Sequence, residues 1–370
     1  MIAVVVVTYN AKPYLADLLQ SLFATQYVGT WRLIVVDNAS TDDTVRIISH
    51  SQFLTAKAGS RCGGTIPNSQ LISNSSNLGF AEGNNIGIRA ALEEGADFVV
   101  LLNHDTVVDP HWLTNLEATM KSDEKIGAAQ ARLMLWPAEG EARQGRPDKD
   151  KINSIGNEIH YLGFGYTGGY QQRFEMSKCR NVEISYCSGA AVMYRASALR
   201  AVGFLDESFF MYHEDLDLGW RLWMAGWKNV LASEAVVYHK YEFSRSIKKY
   251  YFMERNRFLV LLELYRIPTL ILIAPAFFVM ELGLFVKALV SGWGREKFRA
   301  YAFFLRPLTW KLIWTKRKEK QSLRRVSDRA ITQRFTGVIE SQEFSSPIVR
   351  CIVNPLFNLY WQIVRRIIFW

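Results

Sequence analysis

The chain has 370 residues, with 44 Lys and Arg against 35 Asp and Glu (net charge +9), and its mean hydropathy is −0.01. This composition is too polar for a polytopic membrane protein, the length predicts one large or two ordinary domains, and 13% aromatic residues exclude global disorder. The charge is uneven, because residues 1–240 hold 21 basic and 26 acidic side chains (net −5) and residues 241–370 hold 23 and 9 (net +14). The two parts are therefore expected to meet different partners.

The first 135 residues alternate between short β-branched runs and helical patterns. This spacing predicts βαβ units, and continuous apolar strands are typical of a mostly parallel sheet that is covered on both faces. The predicted strands are 2–7, 31–37, 71–74, 97–103 and 127–135, and the predicted helices are 12–24, 41–49, 81–94 and one that starts at Pro110.

The N-terminal run Ile2–Val7 has no basic lead and is only six residues long, so it is interpreted as a buried strand and not as a signal peptide. The four cysteines form no C-x-x-C pair, which indicates neither a zinc site nor a disulfide framework and favours a reducing cytoplasm. They are Cys62, Cys179, Cys187 and Cys351.

Three segments break the alternation of strands and helices. Residues 55–76 are rich in Gly and Ser and are predicted to be an exposed insertion, and residues 136–151 are predicted to be a mobile loop. Residues 152–180 are rich in Gly and aromatic residues but show no period, and we interpret them as the wall of a binding cleft.

Polar residues follow four of the predicted strands. In a parallel sheet the ligand lies at the carboxyl ends of the strands, so these residues are expected to share one edge. After any single strand such residues are ordinary loop residues, but four strands together favour a site. The strand ends carry Thr8 to Asn10, Asp37 and Asn38, Asn77 to Phe80, and Asn103 and Asp105.

Asp105 stands just past the apolar run that ends at Leu102. A hard divalent cation takes one or two carboxylates together with phosphate oxygens and water, so Asp105 has the right chemistry and position. The alternative is a turn-forming Asp that bonds its own backbone.

A second cluster lies within residues 209–227, where Glu214 and Asp215 open a predicted helix whose apolar positions include Leu216, Trp220 and Trp223. Acidic residues in a first helical turn are ordinary, because they meet unpaired N–H groups and the positive end of the dipole. Three carboxylates in four residues exceed what one cap requires and suit a general base. His239 ends a further predicted strand and is either a surface residue or a ligand.

These segments together resemble family 2 inverting glycosyltransferases of the GT-A fold, and within them the bacterial rhamnosyltransferase-like branch. The resemblance covers residues 1 to about 260 in the family's order and spacing. It lies in VVVVTYNA (4–11), VVDNASTDDT (35–44), NLGFAEGNNIGI (77–88), LLNHDT (101–106), CSGAAVMYR (187–195) and GFLDESFFMYHEDLDLGWRL (203–222).

The resemblance implies a role for individual residues. Asp215 matches the catalytic base, Asp105 the last acid of the D-x-D metal motif, and His239 a further metal or diphosphate ligand. The residues implied to hold the nucleotide sugar are Thr8, Tyr9, Asn10, Asp37, Asn38, Ser40, Asp42, Asn77, Gly79, Phe80, Asn84, Asn103 and Glu214.

One position departs from the motif, because its first acid is here Asn103. A bound Mg²⁺ or Mn²⁺ would then meet one carboxylate from this motif, and the diphosphate would supply more of the charge neutralisation. The implied architecture is an α/β GT-A domain with a mixed, mostly parallel sheet at 1–242, followed by a helical membrane-associating region at 243–370.

The C-terminal third combines basic and apolar residues. Residues 244–266 are predicted to be a helix, and 269–286 form an 18-residue apolar stretch, interrupted by Pro275 and Glu281, that is marginal for crossing a bilayer. A single crossing would carry 17 Lys and Arg across, so we expect a re-entrant or interfacial arrangement instead. The last segment, 348–368, is predicted to be an amphipathic helix with a kink at Pro355.

Five tryptophans are expected at the headgroup boundary of the membrane, namely Trp293, Trp310, Trp314, Trp361 and Trp370. The alternative is that these helices pack on the catalytic domain or on a second subunit. The basic tail also fits nucleic acid, but no RNA- or DNA-binding motif accompanies it, so no nucleic acid partner is expected.

The sequence therefore predicts a metal-dependent transferase at the cytoplasmic face of the membrane. It would move a sugar, with rhamnose from dTDP-rhamnose as the best candidate, to a lipid-linked or cell-surface glycan, and a homo-oligomer is possible. The alternative is a non-catalytic nucleotide-sugar-binding membrane protein in glycan assembly. A dinucleotide oxidoreductase is excluded, because no G-x-G-x-x-G follows the first strand.

Overall fold

The computed structural model describes residues 1–51, 69–136, 151–175, 182–240, 247, 249–339 and 347–370. The strands in these ranges are β1 (Ile2–Thr8), β2 (Trp31–Asp37), β3 (Gln70–Ser73), β4 (Phe98–Asn103), β5 (Thr106–Val108), β6 (Ile126–Leu135), β7 (Ile152–Ser154), β8 (Asn157–His160), β9 (Gly165–Thr167), β10 (Ala191–Arg195), β11 (Lys228–His239) and β12 (Phe335–Thr336).

The helices alternate with these strands at first and then dominate the C-terminal third. They are α1 (Lys12–Phe23), α2 (Thr44–Ser49), α3 (Gly79–Glu93), α4 (Trp112–Ser122), α5 (Ala196–Val202), a 3₁₀ turn (Glu207–Phe209), α6 (Glu214–Met224), α7 (Lys249–Leu264), α8 (Ile267–Val290), α9 (Gly294–Phe304), α10 (Pro307–Ser322), α11 (Asp328–Thr332), a π-helical turn (Val349–Val353) and α12 (Asn354–Ile367).

Nine of the described strands form one mixed sheet, in the order β3-β2-β1-β4-β10-β6-β11-β5, with β7 on β6. Strands β1 to β4 are parallel, with Val4 of β1 opposite Leu33 and Val100. Strand β10 runs antiparallel between β4 and β6, while β6 and β11 are parallel. The predicted βαβ half is confirmed, and the antiparallel insertions come from strands that pair with distant segments.

Helices cover both faces of this sheet, as the continuous apolar strands predicted. On one face α1 and α4 bury Leu18, Trp112 and Leu116, and on the other α3, α5 and α6 bury Ile88, Leu199 and Leu218. Burying such side chains stabilises the fold by about 1.5–3 kcal/mol each. Because both faces are covered, the carboxyl edge of the strands is the place where polar side chains can collect.

Residues 152–175 contain three short strands, which the absence of a sequence period did not predict. Strands β12, β8 and β9 form a second small sheet, and Ile159, Tyr161 and Leu162 are fully buried beneath the C-terminal helices. Tyr161 stacks on Trp361 with ring centroids 4.6 Å apart. This side of the segment is therefore packed core and not an open wall. Residues 52–68, 137–150 and 176–181 lie outside the described residues, as do Cys62 and Cys179.

The apolar segment of the C-terminal third is longer than predicted. Helix α8 continues through Pro275 for 24 residues, or about 36 Å at 1.5 Å per residue, and is long and apolar enough to cross a membrane. Pro275 therefore does not end the helix, which extends beyond the apolar stretch 269–286 at both ends.

Helix α8 also carries a buried charge on its inward face. Glu281 pairs with Arg257 of α7 and with Lys297 of α9, at 2.8 Å from the lysine, and it accepts a hydrogen bond from Tyr301. Glu254 pairs with the same two cations. This network of two acids and two bases joins three helices.

The expectation of five tryptophans at a lipid boundary is wrong for two of them. Trp293 and Trp361 are buried, because the first follows α8 in a turn packed on Tyr250 and the second lies between α12 and Tyr161. Trp310 and Trp314 are exposed, and Trp370 is half-buried. Residues 347–367 are helical throughout, and the π-helical turn Val349–Val353 directly precedes Asn354 and Pro355, so the helix is irregular at the place where the kink is predicted.

Candidate functional site

The carboxyl ends of β1 and β2 meet at Asp37, as predicted. Thr8 lies opposite Asp37 in the register and its hydroxyl donates to Oδ1 at 2.8 Å. Ser40 donates to the same oxygen through its hydroxyl, at 2.5 Å, and to Oδ2 through its backbone N–H, at 2.9 Å. The buried carboxylate is thus held in one orientation at the sheet edge.

The next residues line the same edge but differ in what they contact. Asn10 has a positive φ of 50° and accepts from the N–H of Thr41 at 2.8 Å. Asp42 accepts from the N–H groups of Lys12 and Thr44, and so holds the starts of α1 and α2. Tyr9 is exposed at this edge.

The segment at the start of α3 closes on the sheet edge through its backbone. Asn38 donates to the carbonyl of Gly79 at 2.8 Å, and Asn77 accepts from the N–H of Gly79 at 2.9 Å. Gly79 has φ +82°, and a Cβ there would lie 2.6 Å from the ring and the carbonyl oxygen of Phe210. Only glycine fits both requirements.

Two residues that follow Gly79, Phe80 and Asn84, make different hydrogen bonds. The N–H of Phe80 donates to the carbonyl of Phe210 at 2.7 Å, while Asn84 is buried within α3 and donates to the carbonyl of Phe80 at 2.9 Å. Asn84 therefore stiffens this turn of the helix.

Asp105 and His239 come together as predicted, although 134 residues separate them. Nε2 of His239 lies 3.2 Å from Oδ1 of Asp105, and Nδ1 lies 3.0 Å from Oδ1 of Asn153. When Nδ1 carries the proton and donates to Asn153, the lone pair of Nε2 faces the carboxylate oxygen. A divalent cation bound by both atoms would relieve that opposition, so the donor set fits a metal.

Two protein ligands do not complete a cation's coordination. Among the described residues, no group of three or more His, Cys, Asp or Glu side chains is arranged to hold a metal ion. A bound cation would therefore take its other ligands from a diphosphate and water. Asn103 ends β4, and its N–H donates to the carbonyl of Ala190 at 2.9 Å.

Asp215 lies in the first turn of α6, as predicted, and is half-buried. Its carboxylate accepts from the N–H groups of Gly189, at 3.1 Å, and Leu216, at 2.8 Å. Burial raises the pKa of Asp215 to about 6, against the opposing effect of these two hydrogen bonds. A carboxylate of this pKa is largely ionised at neutral pH and is still basic enough to accept a proton.

The other two acids of the cluster are different. Burial, followed by the charge of Asp215, raises the pKa of Glu214 well above its ordinary value, so Glu214 tends to keep its proton. Asp217 is fully buried and pairs with Arg221 at 2.7 Å and with Lys320 at 2.7 Å. The interpretation of three clustered carboxylates beside a substrate is therefore wrong for Asp217, which holds α6 to α10.

Gly189 joins these groups into one site. A Cβ built on it would lie 3.0 Å from the ring of Phe80 and 3.9 Å from Cβ of Asp215. Ala190, the next residue, accepts from Asn103, which stands two residues before Asp105. Asp215, Phe80 and the turn that carries Asn103 and Asp105 therefore all lie next to Gly189 and Ala190, the two residues that lead into β10.

The sequence model described as "Glycosyl transferase family 2" matches residues 3–203, which is more than half of the chain. The chain belongs to glycosyl transferase family 2. A second model, "Glycosyl transferase family group 2", matches residues 166–315. The protein is a glycosyltransferase, and the predicted family is confirmed.

Relatives and solved structures agree with this assignment. The N-acetylglucosaminyl-diphospho-decaprenol L-rhamnosyltransferase of Mycobacterium tuberculosis is 29% identical over 257 residues, covering 65% of this chain and 76% of that protein. The low-salt glycan biosynthesis hexosyltransferase Agl10 of Haloferax volcanii is 22% identical over 222 residues, covering 60% and 61%. The first relative agrees with the predicted rhamnosyltransferase-like branch.

The crystal structure of GalNAc-T7 with UDP, GalNAc and Mn²⁺ superposes with a TM-score of 0.53 at 13% identity. The match covers 71% of this glycosyltransferase and 48% of that chain, about half its length. This likeness shows the fold, and the GT-A prediction is confirmed.

Sequence reasoning missed several residues of this region. Asn153 lies in the segment without a period, and Arg255 and Asn256 lie in a helix assigned to the membrane. The available signal was polarity: Arg255 and Asn256 are polar neighbours followed within a few residues by Phe258, Leu259 and Val260, in a helix that buries most of its length. Such residues are kept in cores only when they are hydrogen-bonded.

Proposed function

We propose that this glycosyltransferase moves a sugar from a nucleoside diphosphate donor to a lipid-linked or cell-surface glycan with inversion at the anomeric carbon. The observation that carries the proposal is the position of Asp215, whose half-buried carboxylate accepts from the N–H of Gly189 beside Phe80. A base at this position lies next to Phe80 at the start of α3 and next to the turn that carries Asp105. A non-catalytic binding protein would not need a half-buried carboxylate with a raised pKa.

Asp215 would accept the proton of an acceptor hydroxyl while that oxygen attacks the anomeric carbon. The bond from this carbon to the diphosphate oxygen breaks on the opposite side, and the nucleoside diphosphate leaves with the electron pair. Thr8, Asp37 and Ser40, with the Asn38-bound Gly79 segment, would hold the nucleoside. The remaining donor-binding residues proposed are those that the family resemblance implies, Glu214 and Asn103 included.

Asp105 and His239 would hold Mg²⁺ or Mn²⁺, with Asn153 orienting the imidazole. When bound, the cation would neutralise the charge that grows on the departing diphosphate. GalNAc-T7 was solved with Mn²⁺, which supports a divalent cation.

Rhamnose from dTDP-rhamnose is the donor we propose, because the mycobacterial relative is an L-rhamnosyltransferase. That relative's name also specifies an N-acetylglucosaminyl-diphospho-decaprenol acceptor, which supports a polyprenyl-linked acceptor here.

The C-terminal helices are proposed to bind the cytoplasmic surface of the membrane. The outward face of α8 is apolar along its length, the opposite of a water-facing helix. Its exposed residues are Ile271, Phe278, Val279, Leu282, Val286, Leu289 and Val290. The π-helical turn and helix α12 add Ile352, Leu356, Leu359 and Ile363, and α12 joins α8 through Tyr360, whose hydroxyl donates to the carbonyl of Leu272 at 2.6 Å.

The inward face of α8 favours an interfacial helix over a spanning one. Glu281 is tied there to Lys297 of α9 and to Arg257 of α7, and α7 packs on α6 of the transferase domain. Only the outward face is left for lipid, and the division at residue 242 separates two regions that are in contact.

A donor panel tests the transfer activity. The purified chain is incubated with dTDP-rhamnose, UDP-glucose, UDP-galactose and UDP-N-acetylglucosamine, with a polyprenyl-diphosphate N-acetylglucosamine acceptor and Mg²⁺ or Mn²⁺. We expect one donor to be consumed in an acceptor-dependent way, with an inverted linkage by NMR. Donor binding without transfer to any acceptor would favour the non-catalytic alternative.

Vesicle sedimentation tests the membrane face. We expect the parent chain to bind phosphatidylglycerol vesicles and Phe278→Glu/Leu282→Glu to lose binding, because both side chains are more than half exposed on α8. Val28→Glu, on an exposed loop of the transferase domain, is the matched control. Equal sedimentation of all three chains would refute this surface.

A further inference from the structure

The segment that leads into the base has an unusual backbone. Phe210, Tyr212 and His213 all have positive φ, at 64°, 66° and 69°. For residues other than glycine such conformations cost on the order of 1 kcal/mol or more each, and they persist only where the surroundings impose them. Something must therefore hold residues 208–213 in place.

Two adjacent side chains of α7 hold this segment by its carbonyls. Nδ2 of Asn256 lies 3.0 Å from the carbonyl of Phe209, 2.9 Å from that of Met211 and 2.7 Å from that of Tyr212. Nη2 of Arg255 donates to the carbonyls of Ser208, at 2.7 Å, and Phe209, at 2.9 Å.

The pair is also ordered internally. Nε of Arg255 donates to Oδ1 of Asn256 at 2.9 Å, which directs the amide nitrogen toward the three carbonyls. Asn256 is 0% exposed and Arg255 is 8% exposed. Buried and fully hydrogen-bonded polar groups of this kind specify one arrangement of the chain.

Residues 208–213 contact both the segment at the start of α3, which is proposed to bind the donor, and the start of α6, which carries Asp215. On one side the carbonyl of Phe210 accepts from the N–H groups of Phe80 and Ala81, at 2.7 and 3.1 Å, at the start of α3. On the other side His213 caps α6, whose second residue is Asp215. A shift of residues 208–213 would therefore move the base relative to the donor.

We propose that Asn256, with Arg255 orienting its amide, is a positioning residue for sugar transfer. It fixes residues 208–213 and thereby holds the carboxylate of Asp215 beside the segment at the start of α3. The inference rests on the proposed function. It makes α7 a part of the active site, although the sequence assigns this helix to the membrane-associating region.

Three variants test the inference. Asn256→Ala removes the three contacts, Arg255→Lys keeps the charge but loses the bond to Asn256, and Asn354→Ala is the matched control. Asn354 holds the backbone of Ile339 through two hydrogen bonds, at 2.8 and 3.2 Å, at the other end of the C-terminal region. All three are expected to lose some thermal stability.

Kinetics separate positioning from stability. The number of functional donor-binding sites is measured by calorimetric titration with the nucleoside diphosphate, and kcat is expressed per donor-binding site. We expect kcat per site to fall by about 10- to 100-fold in Asn256→Ala, less in Arg255→Lys and not in Asn354→Ala, with the donor Kd changing less than kcat. A purely structural role would reduce the number of sites and leave kcat per site unchanged.

The outcomes distinguish the two proposals. If the parent chain is active and both α7 variants keep kcat per site within twofold, the positioning role is refuted and the proposed function stands. If Asn256→Ala does not fold, Arg255→Lys alone decides between these results. A parent chain that transfers no sugar refutes the proposed function, and the positioning role with it.

Discussion

Replacing Asp215 with Asn is expected to lower the activity and to raise the stability at neutral pH. The amide has no basic oxygen for a proton, so we expect kcat to fall by about 10²- to 10⁴-fold, the usual contribution of a general base. Donor affinity should change little, because the carboxylate bonds the protein's own Gly189 and Leu216.

The size of the stability change follows from the environment of the carboxyl group. Burial raises the pKa of Asp215 from 3.8 to about 6, so ionising it in the folded chain costs on the order of 3 kcal/mol at pH 7. The parent chain should lose this stability as the pH rises from about 4 to about 6. Asn does not titrate, and losing one acceptor oxygen costs it about 1 kcal/mol at every pH.

The assay compares urea denaturation midpoints of the parent and of Asp215→Asn from pH 4 to 7, with exposed Glu234→Gln as the control. We expect the denaturation midpoint of Asp215→Asn to rise relative to that of the parent as the pH increases, and the control to show no such trend. The kcat of the parent should fall about tenfold between pH 7 and 5, as the base is protonated. A stability difference that does not vary with pH would refute the argument from burial.

Four further substitutions test other parts of the structure. Asp105→Asn and His239→Ala should each weaken nucleoside diphosphate binding in Mn²⁺ and change it little in EDTA, which calorimetry measures; equal affinities in Mn²⁺ would contradict the metal assignment. Glu281→Gln should lower stability by about 3–5 kcal/mol, because two buried cations lose a partner; an unchanged denaturation midpoint would show that the network is not formed. Gly79→Ala should raise the donor KM at least tenfold, because its Cβ would meet Phe210 at a positive φ; a parental KM in steady-state kinetics would refute the close approach.

Local pattern was enough to predict the first half of the fold. The runs at 2–7 and 31–37 become β1 and β2 with their registers aligned, because a covered parallel strand must be apolar on both faces. The same geometry brings Thr8, Asp37 and Ser40 to one edge without any knowledge of distant contacts. Parallel strands also place Asp105 at this edge, since it follows the strand beside β1.

The sequence by itself determined the family, the parallel half of the sheet and the turn that holds Asp105, because each depends on a short motif or a local period. Only the tertiary structure decided that Asp217 pairs with Lys320 while Asp215 faces Gly189, since neighbouring acids differ only in what lies opposite them. It also decided that Asn256 of α7 holds the segment before Asp215. Burial and partner choice are set by distant residues, and no local period of the sequence encodes them.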